Sequence, residues 1–207
     1  IDESNVVDLV PIAYLFDQSG MQIRDKQLAH LTMAYCKNMA VDNITLTSDA
    51  VFLFDSMNNS IIDSNISECF GMRLINSSGN DILGNLFMGN GYSGLFLYSS
   101  DWNRIEKNVA SENEQNGLSL LSCNQNIIRD NSVQKNLVTG IWLNLSNDNQ
   151  IYENNITANS LGCQLSFSTG NTIYHNNFID NIEHSIDTEG GNSWDAGNNT
   201  GGNYWSC

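Results

Sequence analysis

The 207-residue sequence predicts an all-β chain wound as a single-stranded parallel β-helix, a solenoid of about eight coils of 21–23 residues with three short strands per coil and asparagine ladders between coils. Three recurrent columns carry the prediction. In the first, asparagine precedes an apolar residue by two places at Asn59-Ser-Ile61, Asn80-Asp-Ile82, Asn103-Arg-Ile105, Asn126-Ile-Ile128, Asn149-Gln-Ile151, Asn171-Thr-Ile173 and Asn192-Ser-Trp194, with a weaker backward match at Asn38. The steps are 21, 21, 23, 23, 23, 22 and 21 residues. A second column lies six or seven residues further on, at Ile44, Ile66, Leu86, Val109, Val133, Ile156 and Phe178. The third reads small-apolar-x-apolar: Ala50 to Leu53, Gly71 to Leu74, Gly94 to Leu97, Gly117 to Leu120, Gly140 to Leu143 and Gly162 to Leu165.

Each column predicts one strand of the coil. Alternation with a period of two over three to five residues describes a strand buried on one face, and nowhere does a 3.6-residue stripe run long enough for a helix. Coils stacked at the strand spacing of about 4.8 Å would make a rod about 38 Å long. Leucine-rich repeats share this period, but they need a helical return segment that is missing here. Asparagine, a poor strand former, is expected at the turns, where it tolerates a left-handed backbone and where stacked amides bond from coil to coil. The chain divides into a lead-in segment with the first-coil strand (residues 1–37), the repeats (38–191) and an aromatic C-terminal cap (192–207), all in one structural domain. The start at Ile1-Asp2-Glu3 reads as a processed or trimmed end.

With 23 acidic and 8 basic residues the net charge is −15, which repels phosphate backbones and anionic lipid, so nucleic acid is not an expected partner. No run of 18 apolar residues occurs, so membrane insertion is not expected either.

Specific motifs add a resemblance. The repeats, together with Val10-Pro-Ile-Ala-Tyr-Leu-Phe-Asp-Gln-Ser-Gly20, Leu31-Thr-Met-Ala-Tyr-Cys-Lys-Asn-Met-Ala-Val41 and the ending Asn192-Ser-Trp-Asp-Ala-Gly-Asn-Asn-Thr-Gly-Gly-Asn-Tyr-Trp-Ser206, resemble the NosD-like repeats, also called carbohydrate-binding and sugar-hydrolase repeats, common in archaeal surface proteins. Cys207 departs from the family, which continues with an acidic residue there. The resemblance implies a right-handed β-helix and an extracellular or cell-surface location. It implies architecture more firmly than activity, since one fold hosts many functions.

Function is expected on outward positions. In the third strand, Phe52, Phe54, Ile75, Phe96, Tyr98, Leu121 and Trp142 form an outward apolar face, suited to cover by the N-terminal segment or another part of a longer surface protein, to self-association of identical subunits, or to stacking of polysaccharide rings. In the first strand, Glu106, Arg129, Tyr152 and Tyr174 line up, followed by Lys107, Asp130, Glu153 and His175. The alternative catalytic set drawn from this surface, Glu106, Arg129, Asp130, Tyr152, Glu153 and His175, supplies the groups that a polysaccharide lyase or glycoside hydrolase needs. Uniform coils leave no long loops to wall a cleft, so a non-catalytic structural or binding module is the leading expectation.

Copper handling, a third function suggested by the family name, calls for clustered His, Met or Cys. His30, His175 and His184 are dispersed, as are Met21, Met33, Met39, Met57, Met72 and Met88, so no metal site and no cofactor are expected beyond loose calcium at acidic turns. Cys36, Cys69, Cys123, Cys163 and Cys207 form no CxxC pair; Cys163 takes the inward position of Leu118 and Ile141, and Cys207 is the candidate for an intermolecular bond. Trp194, Tyr204 and Trp205 are expected to lie across the open end as a cap. Asn-x-Ser/Thr occurs at Asn43, Asn58, Asn65, Asn76, Asn144, Asn155 and Asn198; several are taken as buried ladder positions, leaving Asn76, Asn144 and Asn198 as candidate glycosylation acceptors.

Overall fold

The computed structural model describes residues 5–46, 48–197 and 201–206. The chain is a right-handed β-helix of parallel strands, and no helix occurs among the described residues. One central coil shows the plan. Arg104–Glu106 lies in an eight-stranded sheet (sheet I), Val109–Ser111 in a nine-stranded sheet (sheet II) and Leu118–Leu121 in a ten-stranded sheet (sheet III), after which Ile127–Arg129 returns to sheet I one level up. The exception to parallel pairing between strands is at the start, where Val6–Val7 runs antiparallel to Val10–Phe16.

Burial follows the alternation. Ile61, Ile82, Ile105, Ile128, Ile151 and Ile173 stack as the inward column of sheet I, all fully buried. Sheet III sends in two columns, exemplified by Leu118 and Leu120. Each such side chain contributes on the order of 1.5–3 kcal/mol through burial.

The second column needs correction. Sheet II buries Leu46, Ile66, Phe87, Ala110, Val133, Ile156 and Phe178, whereas Leu86 and Val109 are half-buried on its outer side and Ile44 sits in the preceding turn. The buried residue follows the first-column asparagine by a constant seven places from Asn59 to Asn171. A one-place slip reverses the face, which is how an apolar outward residue imitates the core.

Four small-residue ladders close the corners. Asn126 shows how an amide is satisfied: its Oδ1 accepts from Asn103 N at 2.8 Å and Asn103 Nδ2 at 3.2 Å, while its Nδ2 donates to Asn149 Oδ1 at 3.0 Å and Asn124 O at 3.1 Å. Parallel files run Asn85–Asn108–Asn131–Asn154–Asn176 and Asn90–Asn113–Asn136–Asn159–Asn181. At the fourth corner, Ser56, Ser77, Ser100, Ser146 and Ser168 accept from backbone N–H groups of a neighbouring coil, with Cys36 and Cys123 in the same file.

The ladder asparagines do not carry the left-handed turn. That conformation falls one residue earlier, on Asn58, Gly79, Trp102, Gln125, Asp148 and Gly170 in the first file. Asn38 is one of these turn residues (φ 53°), and Met39 occupies the ladder slot, accounting for the weak backward match. Gly140 shows why the third column begins with a small residue: a Cβ there would meet Gly162 O at 2.6 Å and Ile156 Cγ2 at 3.0 Å.

At the ends, residues 10–37 already build a coil, with strands Val10–Phe16, Gln22–Arg24, Gln27–Leu28 and His30–Ala34. Near the other end, Tyr204–Ser206 forms the last strand of sheet II, and Trp205 stacks on Phe178 with centroids 4.4 Å apart and planes 11° apart. Trp194 packs 5.8 Å from Trp205. Tyr204 does not join them: it precedes the inward Trp205, so alternation turns it outward, 57% exposed.

Candidate functional site

The outward side of sheet III carries two straight files. Register places Phe52, Arg73, Phe96, Ser119, Trp142 and Gln164 in one, and Phe54, Ile75, Tyr98, Leu121, Asn144 and Ser166 in the other. The seven face residues expected from the sequence are thus brought together, most of them half-buried. No described segment lies over them as the N-terminal cover considered above: Val6–Val7 extends the edge of the sheet.

The aromatic row runs further than expected. Tyr14 lies 5.1 Å from His30, His30 lies 5.8 Å from Phe52, and Phe52 stacks on Phe54 at 5.6 Å. His30 is buried, with Nδ1 2.8 Å from Asp49 Oδ2 and Nε2 2.5 Å from Thr32 Oγ1. The signal for it was the alternation Ile12-Ala13-Tyr14-Leu15-Phe16, which exposes Tyr14 and Phe16 on the same face.

A shallow groove of about 490 Å³ lies at the C-terminal half of this face, lined by Trp142, Gln115, Asn116, Val138, Thr139 and Gln164. The connections between sheets II and III supply its wall. Asn116 is fixed there, donating Nδ2 to Ser119 Oγ at 2.9 Å and accepting from Thr139 N at 3.0 Å. An indole face bordered by amides suits sugar rings, whose C–H faces stack on aromatics and whose hydroxyls take hydrogen bonds at the rim.

Sheet I presents a different surface. Glu106 is buried, 2.8 Å from Arg129 Nη2, 3.5 Å from Arg104 Nη1 and 3.8 Å from Lys107 Nζ. Arg104 also makes a two-pronged bond to Asp81, at 3.0 Å on both arms. These hydrogen bonds, to Asp81 and to Glu106 respectively, are the main causes that raise Arg104 and Arg129 above the ordinary arginine range. Arg129 lies over Tyr152, which stacks on Tyr174 at 4.9 Å; burial pushes the Tyr174 phenol up, so it stays protonated. Of the six residues of the catalytic alternative, Glu106, Arg129 and Tyr152 share the sheet face. Asp130, Glu153 and His175 occupy the left-handed corner (φ 54°, 57° and 53°), because strands here are three residues long and the next residue is already in the turn. The strip is an ion-paired ladder at Arg104, Glu106 and Arg129, and beyond it Tyr174 borders a second groove of about 450 Å³ with Gln150, Thr172, Ser193 and Asp195.

Burial corrects the expectation that several of the glycosylation acceptors are buried ladder positions. Asn43, Asn58, Asn65 and Asn155 are exposed and lie beside ladder slots, not in them. Asn76 is exposed in a left-handed turn; Asn144 is half-buried on the sheet III face with its Oδ1 buried and unbonded; Asn198 lies outside the described residues.

Cys36, Cys69, Cys123 and Cys163 are free and buried, and Cys207 lies outside the described residues. Burial pushes the Cys123 thiol up to about 12 and also raises Cys69 and Cys163. Among the described residues no group of three or more His, Cys, Asp or Glu could hold a metal ion. This donor set does not fit a copper site.

Solved structures share the fold. The periplasmic alginate epimerase AlgG superposes with a TM-score of 0.73 at 15% identity, over 91% of this chain and 49% of that one. The A-module of the Azotobacter vinelandii mannuronan C-5 epimerase AlgE6 gives 0.74 at 11% identity, over 95% and 58%. The Dettilon tailspike protein gives 0.54 at 14% identity, over 91% and 61%. The chain spans about half the length of the epimerase structures it matches. Comparison with curated protein sequences found no match. The profile of the family described as periplasmic copper-binding protein (NosD) matches residues 15–207, nearly the whole chain, and the chain belongs to that family.

Proposed function

We propose that this chain is an exported, non-catalytic module that binds a polysaccharide along the outer face of sheet III, with Trp142 as the stacking platform. The carrying observation is the Trp142 groove, an indole bordered by Gln115, Asn116 and Gln164 in the same straight file as Phe52 and Phe96. Such a row matches a linear polymer of rings better than a small molecule, because the face is a track without end walls. Likeness in fold to alginate epimerases and a tailspike, and membership of a family described as periplasmic, support an exported, polysaccharide-facing role. The burial of Glu106 under arginines favours binding over turnover.

The test is retention and chain length of labelled neutral and acidic polysaccharides incubated with the protein and with Trp142→Ala. Retention that weakens at least tenfold in the variant, with chains unshortened, is expected from loss of one stacking platform. Shortened chains would replace this reading with the enzyme reading. Loss of self-association in the variant, without polysaccharide retention by either protein, would assign the face to identical subunits.

A further inference from the structure

The four arginines are not alike. Arg24 pairs with Asp42 at 2.8 Å, Arg104 with Asp81 and Glu106, and Arg129 with Glu106. Arg73 has no carboxylate partner among the described residues; instead its guanidinium lies 5.2 Å from the Tyr92 ring centre and 5.7 Å from that of Phe96. Its protein hydrogen bond is a long one, Nη2 to Phe70 O at 3.5 Å. A guanidinium has five donors, so this fork is clamped by rings with most of its donors unused by protein. Burial draws Arg73 below the ordinary arginine range, the cost of holding a cation with no anion beside it.

The setting sharpens the point. In a chain of net charge −15, no outward strand position of sheet III from Phe52 to Ser166 is acidic. The carboxylates stand at the corners, as Asp55, Asp63, Glu112, Asp130 and Asp148 do, and on sheet I. Arg73 is the one cation of this stretch, in the same file as Trp142 and three strand steps away, about 14 Å at the sheet spacing. A single extended polymer following the file would touch both.

We infer that the polysaccharide bound on this face is carboxylate-bearing, with Arg73 gripping a uronate-type carboxylate while Trp142 stacks on a ring further along. The inference rests on the glycan-binding reading above and adds the charge of the ligand. A planar fork already oriented by two rings matches a carboxylate on two prongs. Repulsion from the rest of the protein does not prevent this, because charges beyond about 8 Å are largely screened at physiological salt.

The experiment compares one labelled polyuronate with its carboxyl-reduced, neutral form, using wild-type protein, Arg73→Gln, Arg73→Lys and Trp142→Ala, each checked by thermal melting. Wild type is expected to prefer the acidic form by about tenfold, the scale of one charge-assisted contact. Arg73→Gln should lose that preference while keeping its affinity for the neutral form, and Arg73→Lys should keep part of it. Trp142→Ala should weaken both. Equal binding of the two forms by wild type, or a full preference surviving in Arg73→Gln, overturns the role of Arg73 and leaves glycan binding standing. Retention of neither form by wild type overturns the glycan reading itself, and this inference with it.

Discussion

Replacing Asn126 by alanine tests the ladder that holds the coils in register. The substitution removes the acceptor of Asn103 N and Asn103 Nδ2 and the donor to Asn149 Oδ1 and Asn124 O, with Asn103, Asn126 and Asn149 all buried. Asn149 Oδ1 keeps its bond from Asn126 N, so the loss concentrates on two orphaned donors in the coil below. At about 1–3 kcal/mol for each buried group left unpaired, the cost is about 2–6 kcal/mol. The matched control is Asn192→Ala at the ladder's far end, where Asn192 is only half-buried and water can take over bonding to Asn171 N and Nδ2. Equilibrium urea unfolding of the two variants measures the difference, and hydrogen exchange of the Asn103 amide locates it. A cost below about 0.5 kcal/mol for Asn126→Ala, or equal costs for both variants, would refute the claim that buried amide pairing specifies the stacking.

Two further outcomes are expected. Gly140→Ala places a Cβ 2.6 Å from Gly162 O and should cost about 1–3 kcal/mol in urea unfolding by overpacking. Cys123, raised to about 12 by burial, favours the fold fully below the unfolded thiol pKa and loses that contribution as pH climbs from about 8.5 through 12. Cys123→Ser, which places a hydroxyl in a file already holding Ser100 and Ser146, should leave neutral stability nearly unchanged and flatten the alkaline fall in Tm.

The fold was legible because its signal repeats: seven asparagines in step and an isoleucine two places after most of them define sheet I without ambiguity. What misled was local. Leu86 and Val109 are apolar and one place early, and only the constant seven-residue step exposes them as outward. The left-handed turn was assigned to asparagine because asparagine tolerates it, yet Trp102, Lys107 and Leu145 adopt it here, held by the bonds of the coils on either side. Of the candidate surfaces, register alone predicted the sheet III files, since alternation dictates them. The link from His30 to Asp49 and Thr32, and the difference between a paired and an unpaired arginine, depend on distances that no repeat pattern encodes.

That difference between arginines yields one more prediction. On sheet I, neighbouring coils already place opposite charges in register, as Arg129 opposite Glu106, so the surface satisfies itself and has little left to offer a ligand. On sheet III, Phe96 stands directly opposite Arg73 in register, where sheet I would have a carboxylate. Phe96→Glu should therefore convert the binding face to the self-satisfied kind: the new carboxylate occupies the fork, cross-strand pairing returns about 0.2–1 kcal/mol, and the preference for an acidic polysaccharide disappears. Thermal melting and the paired acidic and neutral binding assay read the two effects separately. A variant that keeps the preference while pairing Arg73 with Glu would show that the fork reads nothing, and that the acidic polymer, if bound, is held elsewhere on the rod.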